Sequence, residues 1–351
     1  MPLIRSLTAS GFRVIVITQF DGYEKKIAHE VDHIYPLFIS RKGVNLFVDM
    51  VTLINLIKKL ADIKPDILLL FTIKPVIYGS IAARVMSIRH MAMITGLGTV
   101  FISQNWITIA VKYLYKFSLK KASAVFFQNT DDKELFLTNS LVDASVCKLT
   151  PGSGIELDKF QFSNFPKESN TTFLLIARML RDKGVVEFVE AARRLKKLYP
   201  KTNFQLLGPL DVKNRTAISR TQMNNWVEEG IIEYLGETDD VSPFIKDSSC
   251  VVLPSYREGT SRVLLEAAAM GRPIVTSDVP GCKEVVEDNK NGFLCKAKDT
   301  FDLTEKLQKM ILLPYDKKVK MGILGRKKVE DEFDSSIVCK IYQDAVIDVI
   351  L

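Results

Sequence analysis

The chain has 351 residues, 47% hydrophobic and 25% charged; this excludes a disordered or fibrous chain and is long enough for two folded domains. Its five cysteines (Cys147, Cys250, Cys282, Cys295, Cys339) are scattered without a C-x-x-C pair, which argues against a disulfide framework or a cysteine zinc site and points to a reducing, cytoplasmic location. The net charge of +7 lies wholly in the first part: residues 1–150 hold 18 Lys and Arg against 11 Asp and Glu, and residues 151–351 hold 30 of each. A basic first part fits an anionic membrane surface or a phosphate-bearing partner; a nucleic-acid surface and a merely solvated charge excess are the competing readings.

In chain order, "MPLIRSLTASGFRVIVIT" reads as a helix closed by Gly11 and then a strand over 13–18. A doubly wound domain normally opens on a central strand with a glycine loop, so the first strand of this domain is expected to be missing. Residues 1–18 lack the apolar core and cleavage site of a signal peptide. "HEVDH" (29–33) matches the H-E-x-x-H zinc pattern, yet without a long apolar helix to hold its ligands it reads as a solvated polar loop. "DILLLF" (66–71) is the next strand. Met91 to Val111 is uncharged and long enough to cross a bilayer, but Gly96, Gly98, Ser103, Gln104 and Asn105 make it a buried strand, a glycine loop and a helix start.

"AVFFQ" (124–128) closes the strands of the first domain, assigned to residues 1–150. Pro, Gly, Ser and Asn concentrate over 151–170, the expected linker. Residues 171–334 resume the alternation with strands "TFLLIA" (172–177), "FQLLG" (204–208), "CVVLPS" (250–255) and "PIVTS" (273–277), and amphipathic helices such as Val185 to Leu198. Residues 335–351 form a last helix, expected to pack back on the first domain. The fold class is therefore α/β: two Rossmann-like, doubly wound domains whose ligands bind at the carboxyl ends of the strands, across a cleft.

The chemistry-bearing residues stand in the second domain. Arg178 and Lys183 follow strand 172–177 and precede a helix, where fixed positive charge and oriented backbone N–H groups suit a diphosphate; two surface cations of a β-α loop are the alternative. In "REGTSRVLLEAAAMGRPIVT", Glu258 lies on a loop with Gly259, while Thr260, Ser261 and Arg262 begin a helix and offer N–H groups and hydroxyls to phosphate. Glu266 lies about a turn further into that helix. Carboxylates accept hydrogen bonds from sugar hydroxyls; a solvated loop carboxylate and a helix-surface one are the plain alternatives.

At these residues the chain resembles retaining glycosyltransferase family 4, whose fold is the two-Rossmann GT-B architecture. Glu258 and Glu266 separated by seven residues, with Arg178 and Lys183 upstream, carry the resemblance. "TGLGTVF" (95–101), "PGSGIELDKF" (151–160) and "YLGETDDVSPF" (234–244) extend it over nearly the whole chain. It implies that Arg178 and Lys183 neutralise the leaving nucleotide diphosphate, that Glu258 holds donor-sugar hydroxyls and Glu266 the ribose, and that Gly259 to Arg262 cradle phosphate or sugar. Gly96 and Gly98 would lie on the acceptor side. No D-x-D triplet occurs, so no metal and no cofactor are expected; in such enzymes the departing phosphate takes the acceptor proton, and the paired glutamates do not imply a glycosidase.

The wording "ARMLRDKGVVEFVEAARRLKKLYP" is most similar to transferases that extend polyprenyl-diphosphate-linked oligosaccharides with N-acetylgalactosamine or galactose. That implies a UDP-sugar donor, a lipid-linked saccharide acceptor, an anionic membrane surface, no nucleic acid, and a peripheral place on the inner face of the cytoplasmic membrane. The segment 105–121 is the candidate membrane contact, with Trp106, Tyr113, Tyr115 and Phe117 interleaved with Lys112, Lys116, Lys120 and Lys121. The alternatives are a truncated, inactive glycosyltransferase-like protein and a UDP-N-acetylglucosamine 2-epimerase-like enzyme of the same architecture.

Overall fold

The computed structural model describes residues 2–40, 46–97, 106–167 and 170–350 and falls into two compact units, Met1–Gly152 with Ser335–Leu351, and Ser153–Asp334. In the first unit, helix α1 (Pro2–Ala9) ends at Gly11, whose φ of 85° lets the Phe12 N–H return to the Leu7 carbonyl at 3.1 Å. The chain then forms β1 (Ile15–Thr18), α2 (Glu24–Ile27), β2 (His33–Pro36), α3 (Leu46–Ile63), β3 (Ile67–Phe71) and α4 (Ile73–Val85). It continues through β4 (Arg89–Ile94), α5 (Trp106–Leu119), β5 (Ala124–Phe127), α6 (Thr130–Thr138) and β6 (Cys147–Leu149).

All strand pairs are parallel, but they fall into two sheets, β1-β2 and β3-β4-β5-β6. The break falls where a doubly wound order places its first strand. Among the described residues no strand joins β1 to β3; both are largely half-buried, whereas β5 is wholly buried. Side chains still bridge the break, with Ile17 of β1 and Leu68 of β3 in one apolar cluster around Leu56, Leu60 and Ala82. Helix α13 (Ser335–Ile350) covers the other face of the sheet: Val338, Tyr342 and Val346 pack with Met91, Met93 and Phe126, and Tyr342 meets Phe126 edge-on at 4.7 Å.

One sequence reading changes here. "HEVDH" is a turn entering a strand rather than a polar loop alone, because His33 begins β2 while Glu30, nearly buried, accepts a hydrogen bond from Arg5 of α1 at 2.6 Å. The stretch from Met91 is, as read from sequence, the body of a strand, β4, followed by a turn at Gly96, with α5 beginning at Trp106. No helix among the described residues is long and apolar enough to cross a membrane.

The second unit contains β7 (Thr172–Ile176), α7 (Val185–Leu198), β8 (Asn203–Leu207), α8 (Arg220–Glu228), β9 (Glu233–Tyr234) and α9 (Ser242–Asp247). After these come β10 (Cys250–Leu253), α10 (Arg262–Ala269), β11 (Ile274–Ser277), β12 (Gly292–Cys295), α11 (Thr300–Leu312) and α12 (Tyr315–Glu332). One parallel sheet runs β12-β11-β10-β7-β8-β9, a doubly wound order that reverses between β7 and β10. Val185, Phe188, Val189, Ala192 and Leu195 recur at helical spacing and bury one face of α7 against Phe173, Phe204 and Leu307. Leu264, Leu265 and Ala268 of α10 pack on the opposite face of the sheet with Leu174 and Val251.

Arg272, fully buried between α10 and β11, ties the incoming segment to this unit. Its guanidinium donates to the carbonyls of Ser163 (3.0 Å), Asn164 (2.9 Å), Ile245 (3.1 Å) and Lys246 (2.9 Å), and to the Ser163 hydroxyl (2.7 Å). Burial lowers its pKa to about 10, which leaves it charged at neutral pH. Arg272→Met removes these donors and strands several buried carbonyls, each worth about 1–3 kcal/mol; urea unfolding at pH 7 should show a loss of at least ~3 kcal/mol, and an unchanged midpoint would refute the clamp.

Candidate active site

The site is built where the sheet order reverses. After β7 the chain passes Arg178 and a 3-10 turn, Arg181–Lys183, into α7 through Gly184, in the left-handed region at φ 74°. A Cβ at Gly184 would stand 2.1 Å from the Pro254 carbonyl oxygen just after β10. Glycine is required there, since it lets the loop after β7 lie directly on the loop after β10.

That contact brings Lys183 to Glu258. The Lys183 ammonium donates to Glu258 Oε1, with both side chains only 21% and 15% exposed. Ser255 Oγ donates to the same carboxylate oxygen at 2.7 Å, and the backbone N–H of Tyr256 donates to the Asp182 carbonyl at 2.9 Å, so the two loops are stitched together. Tyr256 also donates its hydroxyl to Glu187 Oε1 of α7 at 2.6 Å; burial first, then the Glu187 bond and charge, push its pKa up.

A third loop, after β11, supports the Glu258 segment from behind. Glu258 N–H donates to Pro280 O (3.0 Å) and Ser261 N–H to Gly281 O (2.8 Å), while Gly281 (φ 82°) approaches so closely that a Cβ would lie 2.5 Å from the Glu258 carbonyl. The Ser261 N–H is already bonded rather than free for phosphate. Cys282, fully buried, has its thiol pKa pushed up by burial and then by Glu258, which keeps it protonated.

Glu266, in the second turn of α10, is 7% exposed, so it is not a helix-surface residue. Arg262, one turn earlier, approaches it at 3.6 Å with its own side chain largely exposed. Burial raises the Glu266 pKa, opposed mainly by Arg262. Arg178 is exposed at the carboxyl end of β7. Gly96, with φ 112°, turns the chain after β4 in the first unit, and Gly98 lies outside the described residues. The structure therefore pairs Lys183 with Glu258 and Arg262 with Glu266, and places Arg178 on the same strand edge. Ser255, Tyr256, Glu187 and the Pro280-Gly281 turn were not singled out by sequence; only the Pro-Gly dipeptide carried a local signal.

On α5, Tyr113 and Phe117 are exposed but Tyr115 is buried edge-on against Phe136 at 5.1 Å, which removes it from the candidate membrane contact. The Trp106 side chain lies outside the described residues. An apolar surface that the sequence reading passed over lies on α3, where Phe47, Met50, Val51 and Ile54 are exposed at i, i+3, i+4 and i+7.

Residues 157–328 match the family described as glycosyl transferases group 1, and residues 1–129 match glycosyl transferase 4-like. The chain is 31% identical, over 97% of its length and 93% of the relative's, to the Campylobacter jejuni N,N'-diacetylbacillosaminyl-diphospho-undecaprenol alpha-1,3-N-acetylgalactosaminyltransferase. It is 26% identical, over 74% of its length and 69% of the relative's, to the Escherichia coli UDP-Gal:alpha-D-GlcNAc-diphosphoundecaprenol alpha-1,3-galactosyltransferase. The solved structure of Anabaena HepE in complex with UDP-glucose superposes with a TM-score of 0.81 at 16% identity, covering 99% of this chain and 95% of that one. The chain belongs to the group 1, family 4-like glycosyltransferases, with the GT-B fold.

Glu266 sets a pH signature. Its raised pKa means that the folded state holds the proton more tightly than the unfolded chain, so stability is greatest below the ordinary value of 4.5 and is lost as pH rises through the folded pKa. Glu266→Gln should therefore raise Tm at pH 7 and match the wild type near pH ~4; a variant less stable at pH 7 would contradict the burial argument.

Proposed function

We propose that the protein transfers a hexose or N-acetylhexosamine from a UDP-sugar to a polyprenyl-diphosphate-linked saccharide, with retention of configuration, in bacterial surface-polysaccharide or glycan assembly. The observation that carries this reading is the Lys183–Glu258 pair at the reversal of the sheet, in a chain two of whose relatives are named for transfer to diphospho-undecaprenol acceptors. Lys183 is the donor for the leaving diphosphate, joined by Arg178. Fixed cations stabilise the charge that develops as the glycosyl–phosphate bond breaks, and they need no reorganisation to do so. Glu258, released from Lys183 when phosphate takes its place, accepts hydrogen bonds from donor-sugar hydroxyls. Glu266 and the start of α10 receive the ribose and phosphate, and Gly96 belongs to the acceptor side. No metal or cofactor has a part in this scheme, because protein cations carry the leaving-group charge.

A lipid-linked acceptor requires the enzyme to work at a membrane. Helices α3 and α5 both pack against α4, and both turn apolar side chains outward: Phe47, Met50, Val51 and Ile54 on α3, and Ile109, Tyr113 and Phe117 on α5. Lys112, Lys116 and Lys120 border the α5 ridge. Apolar faces edged by lysine suit the headgroup boundary of an anionic bilayer. The Thr52 hydroxyl on the buried side of α3 donates to the Phe38 carbonyl at 3.0 Å, so this helix packs beside the chain just after β2.

Two experiments follow. Incubated with UDP-sugars and polyprenyl-diphosphate-linked saccharides, the protein should release UDP only when both substrates are present, and Lys183→Ala should lower kcat by about 10²-fold or more; full activity in that variant sinks the assignment. Sedimentation with anionic vesicles should show salt-sensitive binding, and Phe47→Ser with Ile54→Ser should weaken it by about tenfold or more. Equal binding to neutral vesicles would remove the electrostatic part of the argument.

A further inference from the structure

The amino ends of the strands in the second unit, opposite the edge that carries Lys183 and Glu258, hold a cavity of about 550 Å³. Thr171, Thr202 and Ser249, which directly precede β7, β8 and β10, lie along it; Lys201 and the first turn of α12 with Tyr315 and Lys318 complete it. Nothing in the transfer chemistry uses this place.

Lys318 is the unusual member. It is 9% exposed, yet both partners of its ammonium are uncharged: the Ile311 carbonyl at the end of α11, at 3.2 Å, and the Thr171 hydroxyl at 3.5 Å. An ammonium has three N–H donors, and these two bonds, both long, leave it short of charge compensation. Lysine is seldom buried to this extent without an acidic partner. Burial accordingly lowers its pKa. Capping the α11 carbonyls accounts for one donor, but not for retaining a cation facing a cavity.

The lining supplies the rest of a ligand's description. Lys201, exposed at the rim, adds a second positive charge, and none of the described residues that line the cavity is Asp or Glu. Among the described residues, Phe165, Leu198 and Ile311 provide apolar walls, and Tyr199 and Tyr315 offer rings with hydroxyl groups. Those hydroxyls are anchored: Tyr199 accepts from Gln308 Nε2 at 3.0 Å, and Tyr315 donates to Phe165 O at 3.3 Å. The volume falls in the range of small-molecule sites, about 300–1,000 Å³.

We propose that this cavity binds a small organic oxyanion, a phosphate monoester or carboxylate with an apolar body, whose charged group pairs with Lys318 and Lys201 while its body rests on Phe165, Leu198 and Ile311. Such a ligand completes the charge of Lys318 and ties the junction of α11 and α12 to the strand starts. The site is separate from the nucleotide-sugar site and does not depend on it.

Isothermal titration calorimetry on the full chain tests this with phenyl phosphate, benzoate, inorganic phosphate and benzyl alcohol as probes. At least one aromatic anion should bind more tightly than inorganic phosphate and than benzyl alcohol, and the stronger of phenyl phosphate and benzoate identifies the headgroup. Lys318→Met should weaken that binding at least tenfold and Lys201→Ala about threefold, while Arg178→Ala leaves it unchanged. Absence of binding by both aromatic anions overturns the proposal. So does binding lost in Arg178→Ala but kept in Lys318→Met, which would place the anion at the other edge of the sheet. Should Lys318→Met fail to fold, Lys201→Ala at its exposed position decides, and undiminished affinity there overturns the site.

Discussion

The contact on which the rest of this molecule depends is the approach of Gly184 to the Pro254 carbonyl. Two parallel strands, β7 and β10, are neighbours in the sheet although far apart in the chain, and their following helices leave in opposite directions. The space between the two loops is therefore the natural place for a ligand. Only a residue without a Cβ lets those loops touch, and their touching puts an ammonium and a carboxylate in one small volume. The two neutralise each other. Buried charges otherwise cost several kcal/mol each, so each of these two half-buried groups offsets the desolvation of the other.

The two units carry different charge and different surfaces. The second, with 29 Lys and Arg against 28 Asp and Glu, is nearly balanced, closely packed on both faces of a six-stranded sheet, and clamped to its incoming segment by Arg272. The first is basic, has its strands in two sheets, and exposes apolar faces on α3 and α5. The proposed nucleotide-sugar donor suits the former and the proposed lipid-linked acceptor the latter.

Much of the second unit was legible because its strands are continuous apolar runs buried on both faces, which makes β7, β8, β10 and β11 stand out by composition. The same rule explains what was missed. β9 is two residues long, β6 is three with a lysine at its centre, and β12 begins at a glycine; pairing with neighbours, not local preference, makes them strands. In the site, spacing alone separated Lys183 from Glu258 by 75 residues, and only the likeness to a family joined them. Sequence offered no means of telling that Glu266 is buried rather than on a helix surface. Periodicity likewise could not distinguish Tyr115, which faces the core, from Tyr113 and Phe117, which do not. Lys318 was invisible for the same reason: within a charged helix, one lysine turned inward looks like its neighbours.

The central claim is that Lys183 exchanges Glu258 for a diphosphate, and titration of UDP and of the UDP-sugar into Lys183→Met and Glu258→Gln tests it most directly. Lys183→Met should weaken both ligands by at least about tenfold. Glu258→Gln should bind UDP as well as the wild type or better, because the competitor for the ammonium is gone, while losing affinity for the UDP-sugar. Wild-type UDP affinity in Lys183→Met, or equal losses of both ligands in Glu258→Gln, would contradict the exchange.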